Sequence, residues 1–359
     1  MSTFETITRR KLLKAASVAA TGVAMPVVWT KRARAAEEIT VADVGGATAP
    51  ALRAGFYDPF EKETGIRVIN VAHESDPVTQ FKLVVDTGSK IWDVCMVTPD
   101  DVARLTADKN YLESLDIAPS EDQDLIPGAL KPNWLGFSVY AIVMAYRSDV
   151  YKTEAPKSWA DFWNTTKFPG RRGLYRSPKG VLEAALLADG VAPKDLYPLD
   201  VDRAFAVLDK VRSQVAVWWT SGAQNTQILQ SGEIDMSDTW SARAFAAIDS
   251  GAPVNIVWNG LYSIDGWSIP LGTPKLKQAR AFVRFCMHPE RQGAYSSMVA
   301  NGPSNLKAYN FIAPARAKVL PTYPENLKGL TERDFAFWGK NFAAVSDRFQ
   351  EWLLMGGHR

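Results

Sequence analysis

Apolar positions fall into short β-branched runs and into stripes at helical spacing, and the two patterns alternate from residue 38 onward. "EITVADV" predicts a strand, and a Gly-Gly loop follows it. "PALRAGFYDPFEKETG" carries apolar residues at helical spacing and stops at Gly65, and "IRVINVA" then gives a second strand, completing a βαβ unit. The helix "PVTQFKLVVDTG" and the strand "WDVCMVT" come next, and "PDDVARLTADKNYL" opens a further helix with proline and acids at its N-terminus. Such alternation predicts an α/β fold with a mainly parallel sheet.

The middle of the chain is organised differently. "FSVYAIVMAYR" predicts a long strand, "SWADFWNTTKFPGRRGL" a Trp-rich helix and turn, and "VLEAALLADG" and "VDRAFAVLDKVRSQV" amphipathic helices. "SGEIDMSDTWSARAFAAIDSGAPVNIVW" reads strand, helix, strand, and "YSIDGWSIP" runs into the helical "KLKQARAFVRFCMHPERQGAYSSM", which has a stop at His-Pro. No internal repeat or low-complexity tether separates the parts. Two α/β lobes joined by crossing strands are therefore expected, with 138–145 and 262–269 as the crossings.

The first 35 residues stand apart from this pattern. "TRRKLLK" is a charged opening, "AASVAATGVAMPVVW" an apolar run, and "ARAA" a small-residue cleavage site, expected to be cut between Ala35 and Ala36. The apolar run is 15 residues long, short of the roughly 18–20 needed to span a bilayer. Arg9 and Arg10 resemble a twin-arginine export signal, with Sec export as the alternative. Removing seven basic residues and one acidic residue with this segment turns the formal +2 of the full chain into −4. A mildly acidic product with no basic block is not expected to bind nucleic acid. Cys95, Cys286 and three scattered histidines offer no metal-ligand spacing, and no cofactor is expected. Whether the two thiols pair is left open.

Five segments in order, "FEKETGIRV", "WDVCMVTPDDVARL", "LQSGEIDMSDTWSARAF", "IDGWSIPLGTPKLKQARAFVRF" and "GPSN", resemble the periplasmic solute-binding proteins of bacterial ABC importers, specifically the polyamine-binding type. The resemblance implies two lobes, 36–137 with 266–359 and 138–265, hinge strands at their borders, and a ligand cleft between them. It also implies a periplasmic location, an inner-membrane ABC permease as partner, a small amine or amino-acid-like ligand, and a monomer with no enzymatic activity. An exported enzyme and an iron-binding protein are the competing classes. Against them, the chain has no nucleophile elbow, phosphate loop or adjacent tyrosine pair.

Asp265 is the sharpest candidate, because a carboxylate inside an apolar strand needs a compensating charge. Asp265 lies five residues before Pro270, and in the polyamine-binding relatives an Asp at this offset from the Ile-Pro that ends the strand receives a ligand ammonium. The alternative is that a Lys or Arg of the protein itself compensates it. Thr98 and Asp100 follow a strand and fall where those relatives place cleft side chains, although Asp100 also reads as an ordinary acid at a helix start. Trp240, placed for cation-π contact, shares a helix face with Arg243, whose guanidinium is suited to a carboxylate. Ser221, at a Gly-rich helix start, is a further donor or a simple N-cap. The first loop, "GGATAP", with Gly46 expected to line the cleft, lacks the aromatics of polyamine binders. Ser177 and Gly180 likewise stand where those proteins have acids. A shorter ligand, or one with a carboxylate at its other end, is the expectation.

Overall fold

The structure, a computed structural model, describes residues 37–74, 76–121 and 124–355. The export segment expected at 1–35 lies outside the described residues. One mixed sheet organises the rest: β1 (Glu38–Asp43), β2 (Arg67–Ala72), β3 (Val94–Val97), β4 (Leu130–Lys131), β5 (Trp134–Arg147), β6 (Arg172–Tyr175), β7 (Val215–Trp219), β8 (Met236–Trp240), β9 (Val254–Ser268), β10 (Gly302–Pro303) and β11 (Leu330–Glu332). The main order is β2-β1-β3-β9-β5-β8-β6-β7. The β2-β1-β3 flank is parallel, as is β8-β6-β7 on the other side.

Between the flanks, β9 and β5 run antiparallel to each other and to their main-path neighbours β3 and β8, while the short β11 adds to β9 in parallel. These are the crossing strands expected near 138–145 and 262–269. Both are longer than expected, and they pair from Leu135↔Trp267 at one end to Arg147↔Val254 at the other. The sequence "WLGFSVYAIVMAYR" is buried at nearly every position, which suits a strand covered on both faces. Register shifts at Gly136/Ser138 and Ile142/Met144 interrupt the ladder, and bulges of this kind bend and twist a strand. The result is a two-lobed architecture whose halves share two continuous strands.

Local chemistry explains the helix limits that position the site. Gly65 and Gly88 close their helices in the left-handed conformation. Thr98 and Asp101 form a reciprocal capping box at the start of Pro99–Thr106. The Ser221 hydroxyl accepts from the Gln224 N–H at 3.2 Å and starts Gly222–Ser231.

Separate apolar clusters fill the two halves. One gathers Phe56, Phe60, Phe137, Trp267 and Phe282, and another gathers Phe162, Leu182, Leu208 and Met236. The C-terminal helix Phe335–Met355 departs from the expected division, which put all of 266–359 in the first lobe. Its Trp338, Val345 and Phe349 belong to the second lobe's cluster, and the Trp338 Nε1 donates to Glu183 Oε1 at 2.6 Å. Phe342 on the same helix lies under Arg104 of the first lobe and Lys179 of the second, each 4.4 Å from its ring. Repeated aromatics on one helical face favour whichever surface buries them, and here both lobes contribute. Cys95 and Cys286 are fully buried free thiols.

Candidate functional site

A cavity of about 210 Å³ opens between the two halves of the sheet. Six of the seven residues expected at the site line it: Gly46, Thr98, Ser221, Trp240, Arg243 and Asp265. Apart from Gly46, which opens a short 3-10 turn in the loop after β1, each lies at a strand end, at a helix start or on the crossing strand β9, so secondary structure fixes its direction.

On the first-lobe side, Gly45 and Gly46 have φ of 58° and 64°, a region open mainly to glycine. Buried Asp43 holds this loop, accepting from the Gly45 N–H at 2.6 Å and from Tyr57 and Asn70 at 2.5 and 2.6 Å. The His73 ring nitrogens face the carbonyl oxygens of Glu74 and Met96 at 2.6 and 2.9 Å, tying two strand ends together on the cavity wall.

On the opposite side, Trp240 stands edge-on to Trp219 and Tyr175, with ring centroids 5.2 and 5.3 Å apart. Arg243 is 8 % exposed. Its guanidinium makes no hydrogen bond or ion pair with any described residue, and burial pushes its pKa down. The start of Gly222–Ser231 lies against it: a Cβ on Gly222 would sit 2.3 Å from Arg243 Nε. Glycine is therefore required for this approach.

Asp265 projects from β9 and is half-buried. Burial raises its carboxyl to about 7; Arg333 and Arg243 oppose the shift, and Asp101 adds to it. Among the described residues no donor hydrogen-bonds to it and no cation pairs with it. The cavity wall therefore carries a guanidinium and a carboxylate that attract each other through space without forming an ion pair. Such groups can hold a molecule with charges of opposite sign at its two ends.

Asp100 corrects the expectation, because it is not among the cavity's lining residues. It is fully buried and receives Lys179 Nζ at 2.8 Å, Arg333 Nη2 at 2.7 Å and Thr98 Oγ1 at 2.9 Å. Burial raises its carboxyl, but Lys179 and Arg333 outweigh that and hold it far below the ordinary range. Asp100 thus ties the two lobes and the C-terminal segment together. Its neighbour Asp101 reaches the cavity instead.

Sequence reasoning missed Tyr140, Tyr295, Asn301 and His73, which also line the cavity. Tyr140 is linked through its hydroxyl to Arg333 at 3.3 Å. Asn301 donates to Ser138 Oγ and Tyr295 Oη at 3.0 and 3.3 Å, and its Oδ1 is buried without a partner. Only Asn301 carried a signal, since it directly precedes the "GPSN" segment. Among the described residues, no group of three or more His, Cys, Asp or Glu is placed to hold a metal, and no helix is long and apolar enough to cross a membrane.

A two-lobed α/β fold, with a cation and an anion that have no partner among the described residues facing one interlobe cavity, is the architecture of a solute-binding protein. The chain belongs to the bacterial extracellular solute-binding protein family, whose model matches residues 55–325. Over 323 residues it is 36 % identical to the gamma-aminobutyric acid-binding protein of Pseudomonas aeruginosa, covering 88 % of this chain and 91 % of that one. Among solved structures it is similar to an ABC transporter substrate-binding protein from Bradyrhizobium japonicum, with TM-score 0.82, 35 % identity, and coverage of 88 % of this chain and 99 % of that one. It is also similar to a GABA receptor, with TM-score 0.80, 31 % identity, and coverage of 88 % and 97 %.

Proposed function

We propose that this protein captures a small zwitterion with an amine and a carboxylate several carbons apart, an ω-amino acid such as γ-aminobutyrate, and delivers it unchanged to an inner-membrane ABC permease. The observation that carries the reading is that Arg243 and Asp265 face one cavity, each without a hydrogen-bond or ion-pair partner among the described residues. In this reading the ligand carboxylate lies bidentate on Arg243 beside the start of Gly222–Ser231, where backbone N–H groups favour anions. The ammonium meets Asp265 and the faces of Trp240 and Tyr140.

A diamine fits less well, because its second ammonium would approach Arg243. Two like charges about 5 Å apart repel by roughly 3 kcal/mol at an effective dielectric constant near 20. The likeness to proteins named for γ-aminobutyrate supports the same choice. Lobe borders near 138 and 265, twin-arginine export, a periplasmic location and a monomeric state complete the proposal.

Calorimetric titration with γ-aminobutyrate, putrescine and butyrate tests it. The zwitterion is expected to bind at least a hundredfold more tightly than either single-charge-type analogue, about 2.7 kcal/mol or more. Equal affinity for putrescine would overturn the zwitterion, and no binding of any amine would overturn the ligand class.

A further inference from the structure

Arg243 faces two cavities. A second cavity, of about 50 Å³, shares Thr48, Ala242 and Arg243 with the large one. The smaller cavity is completed from the other side by Arg316, Asp249 and Met298, among others. Arg316 Nε is buried and has no hydrogen-bond partner. Asp249, the only carboxylate lining this cavity among the described residues, has a side chain 60 % exposed and reaches Arg316 Nη1 at 3.5 Å. Two guanidiniums thus border a small space, and its one carboxylate is largely in water. Arg316 Nε is the one of their donors that is buried with no partner among the described residues, and such a donor is ordinarily satisfied.

We propose that the smaller cavity is a binding site for a small monovalent inorganic anion such as chloride, held between Arg243 and Arg316. The space suits a halide-sized ion. Such an ion draws on the same guanidinium that faces the solute cavity, so the two sites are coupled. Occupation of the smaller cavity lowers the attraction offered to a carboxylate in the larger one, and by reciprocity solute binding weakens the anion. The coupling rests on the proposed solute reading; occupation of the site by an anion does not.

The test separates the two. Crystals of the solute-free protein soaked in bromide are expected to show anomalous scattering between Arg243 and Arg316. Chloride NMR of the solute-free protein is expected to show line broadening that Arg316→Met removes. No halide at this position in the wild-type soak would overturn the site, whatever the solute turns out to be. γ-Aminobutyrate affinity, measured at constant ionic strength, is expected to fall about fivefold in chloride relative to gluconate, at the low end of ordinary coupling. Arg316→Met is expected to bind γ-aminobutyrate equally in both salts. A halide seen in crystals with no salt preference in the wild type would overturn the coupling.

Discussion

Replacing Asp265 by Asn should make the empty protein more stable and the receptor worse. The carboxyl moves from its ordinary 3.8 to about 7 through burial, which at about 1.36 kcal/mol per pKa unit amounts to roughly 4 kcal/mol of ionisation cost. Because Asp265 opens onto the cavity, about 2 kcal/mol is the realistic share. A raised carboxyl favours folding below the unfolded value near 3.8, and that contribution is lost as pH rises through about 7. Asp265→Asn should therefore melt close to wild type at pH 4 and a few degrees higher at pH 8. Amine affinity should fall by about 2–5 kcal/mol, the usual cost of removing one partner of a buried charge pair. In the wild type a bound ammonium pulls the Asp265 pKa down, so titration at pH 7 in buffers of different ionisation enthalpy should report about half a proton released. A variant less stable than wild type at both pH values, or wild-type binding with no buffer dependence, would refute the reasoning.

Asp238 offers a control, because burial also raises its carboxyl to about 7 but it does not line the cavity. Asp238→Asn keeps an oxygen to accept from Trp219 Nε1 and the Tyr175 N–H, so melts should show added stability at pH 8 with solute affinity unchanged. Gly222→Ala forces the Arg243 guanidinium aside, and titration should show at least a tenfold loss of γ-aminobutyrate affinity with little change in melting temperature. Trp240→Leu should cost about 0.5–2 kcal/mol of amine binding by calorimetry. Asp100→Ala leaves Lys179 and Arg333 buried without their counter-charge, and denaturant unfolding should register a loss of about 3–5 kcal/mol.

The crossing strands and helix stops were legible because their signals are local: an apolar run too long for one lobe, or a glycine where a helix must turn left-handed. Asp265 stood out as a carboxylate inside an apolar strand, and the family resemblance, more than their own elements, singled out Trp240 and Asp265; the structure puts both, with Arg243, on the cavity wall. Asp100, unlike Asp265, also read in sequence as an ordinary acid at a helix start. What separates them is the destination of Arg333, which comes from the far end of the chain and neutralises Asp100 while leaving Asp265 unpaired. Tyr140, Tyr295 and His73 reach the cavity only through long-range packing, and an aromatic in an apolar segment looks like core until its neighbours are known. The C-terminal helix carries an aromatic stripe that states that it packs without stating against what, and it packs against both lobes.

The two buried cysteines bear on how the protein can be used. Burial pushes both thiols well above their ordinary pKa, and neither has any exposed surface, so neither reacts readily with alkylating dyes. A single cysteine introduced at the cleft rim would be the one nucleophilic sulfur that a maleimide fluorophore meets among the described residues. The native chain therefore needs no thiol removed before conversion into an optical sensor for its solute.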